Sequence, residues 1–229
     1  MPAAYDSKAY STNATNEWTH TTSASALNNA VLLVFAGTTN NSEAPTTVTC
    51  DGTAMTNIAN SGSVETDADS MGVWAYAIAL GDIGASQNYS LIVSGGAGNW
   101  ACESVVVSNA QQTINASYTA AGYTHDGGGV STPSVSLAVP SNGLVLNNIA
   151  TWNGSDVGLA SSGSGTILNN DDTSGYNGGN YGTQYTTSAG SLSWTFTSTD
   201  PTTICSGSWG VPAAASSPAN TGFLGLMGV

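Results

Sequence analysis

Basic side chains are almost missing from this sequence. Lys8 is the only one, no arginine occurs, and fourteen Asp and Glu residues give a formal net charge of −13 over 229 residues. A protein that grips a phosphate backbone needs clustered Lys and Arg to displace counterions, so the composition speaks against direct nucleic-acid binding. The same argument speaks against anionic membrane surfaces. Histidine is nearly as scarce, with only His20 and His125. Nucleophilic catalysis needs a base beside the nucleophile and a third group to orient it. The many serines form no Gly-x-Ser-x-Gly elbow, so no catalytic centre is expected. Three cysteines, Cys50, Cys102 and Cys205, are too far apart in sequence for a zinc site, and their odd number leaves at least one unpaired. They read as small buried hydrophobes. No run approaches the ~20 apolar residues of a membrane span. Residues 1–6 carry neither a basic n-region nor an apolar h-region. Such a start, joined to an extracellular type of composition, leads us to expect a component of a virion, released by lysis rather than by secretion.

What is abundant is Ser, Thr, Gly and Asn, with apolar residues at 40% spread in short runs. Strand-length runs at 31–35, 71–80, 89–93, 102–107, 135–139, 144–149, 181–187, 192–196 and 203–211 are punctuated by Gly, Asn, Pro and Ser. Leu192, Trp194 and Phe196 alternate with Ser193 and Thr195, which turns one face toward a core. Residues 24–33 could form a short helix, but Asn28-Asn29 interrupts it. The expected fold is all-β, a jelly-roll-like β-sandwich. It is expected to occupy residues 1–213 as two related halves, about 18–110 and 130–213. The halves are suggested by a gap-free match that sets Ser90-Leu-Ile-Val against Ser193-Trp-Thr-Phe and Cys102 against Cys205. Asn29-Ala-Val-Leu similarly parallels Asn142-Gly-Leu-Val. The Gly- and Thr-rich stretch 119–131 reads as the linker between halves.

Residues 214–229 read as a linker and an apolar tail. Phe223, Leu224, Leu226, Met227 and Val229 follow a Pro-bounded Ala/Ser segment, and uncovered in water they would be an aggregation hazard. We expect them to form an interface with a neighbouring copy or another virion protein. Two oxygen-rich segments, Glu65-Thr-Asp67-Ala-Asp69 and Asn169-Asn-Asp-Asp172, have the alternation that can surround Ca²⁺, although neither matches a full calcium-loop pattern. No cofactor is expected. Trp100 and Trp152 lie beside Asn-Gly loops and are the candidates for stacking on a glycan.

The ordered motifs resemble a β-sandwich family common among tailed-phage structural proteins and also found as modules in bacterial surface proteins. The residues that carry the likeness are Ala4-Tyr-Asp6, Trp18-Thr-His-Thr21 and Asn29-Ala-Val-Leu-Leu-Val34. Val48-Thr-Cys-Asp-Gly-Thr-Ala-Met-Thr56 and Trp74-Ala-Tyr-Ala-Ile-Ala-Leu80 continue the series. Tyr89-Ser-Leu-Ile-Val93, Glu103-Ser-Val-Val-Val-Ser108, Ala189-Gly-Ser-Leu-Ser-Trp-Thr-Phe196 and Gly210-Val-Pro-Ala213 complete it. Asn109-Ala-Gln-Gln-Thr113 stands where the family has a Gly-Val-Asp-Gln-Thr-like turn. The resemblance implies a structural role on a virion, beside copies of itself and the major capsid protein or another virion protein, and it implies no catalytic residues. A glycan-binding module of a tail fibre or bacterial surface protein is the alternative.

Overall fold

The structure, a computed structural model, describes residues 1–11, 16–38, 44–58, 62–65, 70–95, 100–126, 132–152, 158–176, 179–188, 191–196 and 203–215. The described residues contain strands and no helix. The first half supplies β1 (Ala4–Tyr10), β2 (Glu17–Thr21), β3 (Leu27–Thr38), β4 (Thr47–Cys50), β5 (Thr53–Ala54), β6 (Thr56–Asn57), β7 (Gly62–Glu65), β8 (Ser70–Ile83), β9 (Asn88–Ser94) and β10 (Ala101–Ser108). The second supplies β11 (Ala120–Asp126), β12 (Ser134–Ser136), β13 (Leu144–Trp152), β14 (Leu159–Ser161), β15 (Thr166–Tyr176), β16 (Gly179–Thr186), β17 (Ser191–Phe196) and β18 (Thr203–Val211).

The two halves repeat one strand order. In the first, an inner sheet runs β1-β10-β3-β8-β6, with β7 also on β8, and an outer sheet runs β2-β9-β4-β5. In the second, the inner sheet runs β11-β18-β13-β16-β15 and the outer one β12-β17-β14. If β5 to β7 together take the place of β15, the orders coincide strand for strand. Each half is a jelly-roll sandwich, and all the pairings are antiparallel.

The inner sheets are apolar on both faces, and this dictates the packing. Along β3, Leu32, Val34 and Ala36 face the first outer sheet and meet Val48, Leu91 and Val93. Val31, Leu33 and Phe35 face the other way, into a core shared with Leu144, Leu146, Ala150, Trp209 and Val211 of the second half. The result is four stacked sheets with three cores between them. The middle core, across which Phe35 and Trp209 approach to 5.1 Å between ring centroids, is the seam. Hydrogen bonds close it at one end, where Ala110 bridges Ala213 and Ala214 N donates to Asn109 O at 2.7 Å.

Several expectations need correction. Residues 120–126 are not linker. They form β11, in register with β18 along its whole length. Ala-Ala-Gly carries little strand propensity, and the pairing supplies what propensity does not. The halves are joined instead by residues 109–119, where Gln112 accepts from Gly81 N at 2.9 Å and donates to the carbonyls of Ala30 and Ala110. Gln112 thereby satisfies backbone groups at the bulge of β3 around Ala30. Asn28-Asn29 speaks against a helix over residues 24–33, and the chain is strand β3 from Leu27 onward. Residues 212–214 are paired to 109–111 and so are not free linker.

The parallel of Asn29 with Asn142 has a conformational basis, since both take left-handed backbone, at φ 46° and 55°. The alignment of Cys102 with Cys205 does not hold. Cys102 faces the first half's own core and Cys205 faces the shared one. A one-residue slip reverses every side chain of a strand, so the true correspondence is offset by one there.

All three thiols are buried, and none of them is in a disulfide. Burial pushes Cys50 up to about 11 and Cys205 up to about 12, and it also raises Cys102. A thiolate is the reactive form. The native protein at pH 8 should therefore give no colour with a disulfide reagent such as DTNB, and three equivalents once unfolded. One fast equivalent in the native state contradicts this placement.

Candidate functional site

Polar side chains are buried in several places, two of which hold a histidine or a carboxylate. The first lies where β1, β2 and β10 meet. His20 is 0% exposed. Its Nδ1 lies 2.8 Å from Ser104 Oγ, and its Nε2 lies 3.0 Å from Ser7 Oγ. Trp18 Nε1 donates to Ser104 Oγ at 2.9 Å, and Ser7 Oγ donates to Asp6 Oδ2 at 2.6 Å. Asp6 also accepts from the hydroxyl and backbone N–H of Ser23.

Each hydroxyl has one proton, which orders the chain. The Trp18 N–H donates to Ser104 and Ser7 donates to Asp6, so His20 Nε2–H donates to Ser7, and Ser104, with His20 Nδ1 at 2.8 Å and Ala9 O at 3.2 Å in reach, gives its proton to the nearer ring nitrogen. That order selects the neutral Nε2–H tautomer. Burial lowers His20 to about 4 although Asp6 pulls the other way. Histidine, serine and aspartate are all present, but both ring nitrogens are engaged and Ser104 is 0% exposed, so a substrate carbonyl cannot reach the pair. The network ties three strands together. An NMR titration of the folded protein should find the His20 imidazole neutral down to a midpoint near pH 4. A midpoint near 6.5 contradicts the closed network.

The second place is the seam. Glu103, from β10, is 4% exposed and points into the shared core's polar end, across from Asn148 on β13, which is 5% exposed. Thr183 and Asn169 donate side-chain hydrogen bonds to Glu103. Asn148 Nδ2 donates to Gly182 O at 3.1 Å and Thr183 Oγ1 at 2.8 Å. Glu103 Oε1 and Asn148 Oδ1 are buried with no hydrogen-bond partner. Both residues line a cavity of about 30 Å³, with Tyr10, Ser11, Ala101, Cys102, Asn169 and Tyr181. Desolvation raises Glu103 to about 7, against smaller downward pulls from Thr183, Lys8 and Asn169.

Sequence reasoning missed Glu103 as a site. The available signal was a lone carboxylate inside the otherwise uncharged run Cys102-Glu-Ser-Val-Val-Val, where a strand buried on both faces must take it inside.

Another cavity, of about 220 Å³, is lined by Thr56, Asn57, Ile58, Ile114, Asn115, Ala116 and Tyr118. Its one titratable lining group, Tyr118, donates its hydroxyl to Gln111 O and is raised by burial. That leaves no acid, base or nucleophile poised there.

Trp100 is not a surface residue. It is 1% exposed, stands edge-on to Trp74 at 5.4 Å, and donates Nε1–H to Gly95 O at 3.2 Å. Both its faces are enclosed, and it offers no platform to a sugar. Trp152 ends β13, half-buried against the shared core. Residues 153–157 lie outside the described residues, as do Asp67, Asp69 and the tail residues Phe223, Leu224, Leu226, Met227 and Val229; Glu65 closes β7 but its side chain is outside the description. Among the described residues, no three His, Cys, Asp or Glu side chains gather as a metal cluster. Asn169 belongs to strand β15, not to a loop. Comparison with family models, with curated proteins and with solved structures finds no match.

Proposed function

We propose that this chain is a non-catalytic structural component of a tailed-phage virion, a head decoration or head-fibre protein held on the particle surface in many copies. One observation carries the reading. The body spends its polar side chains on joining strands to one another and presents uncharged hydroxyls outward. Besides the His20 chain, Asn147 shares the two N–H bonds of its amide among Ser206 Oγ, Gly207 O and Ser208 Oγ and accepts from Trp194 Nε1 at 2.6 Å. The outer sheets show solvent Thr21, Asn88, Ser90 and Thr47 on one side and Ser134, Ser136 and Ser191 on the other. Such a body has few charged side chains, nearly all of them acidic, and suits repeated surface copies better than turnover.

The resemblance in motif order supports the same reading, with neighbouring copies and the major capsid protein or another virion protein as partners. The apolar residues 223–229 are the part of the chain with the composition of a docking segment. The glycan-module alternative has lost Trp100 and rests on Trp152 alone. Mass spectrometry of purified particles tests the proposal. The chain should be present at a copy number comparable to capsid subunits, and its absence from particles ends the idea.

A further inference from the structure

Glu103 Oε1 and Asn148 Oδ1 are buried acceptors without a hydrogen-bond partner, and both residues line one cavity of about 30 Å³. The first comes from β10 of one jelly roll and the second from β13 of the other, each more than nine-tenths buried. The amide has only one workable orientation. Its Nδ2 donates to Gly182 O, which can only accept, so Oδ1 turns toward the cavity. Thr183 ties the two side chains together, since its Oγ1 accepts from Asn148 and donates to Glu103. An ionised Glu103 therefore sets two bare acceptors into one small space. A single proton on Oε1 removes the conflict, because the acid donates where the carboxylate could only accept. The cavity has room for one or two waters, so a water can relay that proton. The other titratable groups around Glu103 are few. Lys8, Tyr5 and Tyr10 come from β1, Cys102 from β10 itself and Tyr181 from β16, while β13 and β15 bring the neutral amides of Asn148 and Asn169. Lys8, the chain's only basic side chain, is exposed and does not line the cavity.

We infer that the seam carries a proton-operated latch: Glu103 in its acid form gives its proton to Asn148 Oδ1, directly or through one cavity water, and losing that proton loosens the joint between the two jelly rolls. Burial holds the acid up to about 7, against smaller downward pulls from Thr183, Lys8 and Asn169, so the latch works near neutrality. The sign follows from an acid whose folded value is raised. The joint is tight while Glu103 is protonated and weakens as pH rises toward and past 7. This inference does not depend on the virion reading.

The test uses the full chain, labelled with ¹³C and ¹⁵N and followed by NMR as pH is raised. The Glu103 carboxyl carbon should titrate with a midpoint near 7. The Asn148 side-chain N–H signals should shift with the same midpoint, because the amide oxygen gains and loses the same proton. Hydrogen exchange reads the joint itself. An opening that releases Glu103 into water, where its value is the ordinary 4.5, should cost the amides of β10 and β13 about tenfold in protection between pH 6 and pH 8, once the intrinsic exchange rate is divided out. Glu103→Gln donates from its amide at every pH and should abolish both the Asn148 titration and the tenfold loss. A Glu103 midpoint near 4.5 overturns the latch, because water alone then satisfies the two oxygens. An Asn148 signal that ignores the Glu103 titration overturns the pairing, and so does a tenfold loss that persists in Glu103→Gln. Should Glu103→Gln fail to fold, the two wild-type titrations decide. Coincident midpoints near 7 uphold the latch, and separate ones refute it.

Discussion

Replacing Glu103 by glutamine is expected to stabilise the protein at pH 8 by about 3 kcal/mol, or roughly 6–12 °C in Tm. The folded carboxyl sits at about 7 against an ordinary 4.5. Below pH 4.5 it is protonated in both the folded and unfolded chains, and its share of stability is fully present. As pH rises the unfolded chain ionises first, so stability falls from about pH 4.5 and the loss is complete above about 7. Glutamine mimics the protonated acid and never ionises, so the variant escapes that loss. His20 has the opposite sign. Its folded value of about 4 lies below the ordinary 6.5, so its share is intact above 6.5 and is lost as pH falls toward 4. Between about 4.5 and 6.5 the two slopes oppose each other. The wild type should be nearly flat there and decline from 6.5 to 7. Glu103→Gln should instead climb up to about 6.5 and then level off. Thermal unfolding across pH 4–8 measures both curves. A Glu103→Gln protein no more stable than wild type at pH 8 shows that Glu103 is not buried without a compensating charge.

The second large effect is expected at Trp209. Its ring is fully buried in the shared core, tilted 39° against Phe35 of the other jelly roll. Trp209→Ala removes the largest fully buried side chain on the second half's face of the seam, and close-packed neighbours relax only in part. The expected loss is about 3–5 kcal/mol. The location of the loss is more informative than its size. Phe35 lies on β3, whose other face holds the first half's own core, so amide protection in β3, β8 and β10 should fall together with that in β13 and β18. Hydrogen exchange followed residue by residue reads this out. Weakening confined to the second half would mean that the halves merely touch.

The sequence carries the strands more clearly than their partners. Leu192 and Trp194 alternate with serine and are buried as the alternation predicts. The apolar run around Val31 to Phe35 announces a strand but cannot say that its two faces belong to two different cores. The choice depends on β13 and β18, more than a hundred residues away. Trp100 shows the same limit from the other side. Its neighbours in sequence are glycine and asparagine, which read as surface, but its surroundings are Trp74 and the outer sheet. The strand β11 was hidden because Ala-Ala-Gly lacks β-branched residues and is held by pairing alone. The match between Cys102 and Cys205 fell one residue out of register, since serine-rich strands align nearly as well when slipped. The parallel at Asn29 and Asn142 survived because it rests on a backbone conformation that few residues adopt. Glu103 was legible only as an anomaly, a single charge within a buried run.

That the two jelly rolls share one core is the claim on which the rest depends, including the seam at Glu103 and the reach of Trp209. Differential scanning calorimetry of the full chain tests it directly. One transition is predicted, with calorimetric and van't Hoff enthalpies equal within error, because neither inner sheet can keep its second apolar face dry alone. Two resolved transitions, or a van't Hoff enthalpy twice too small, would show two sandwiches that unfold independently and would contradict the account.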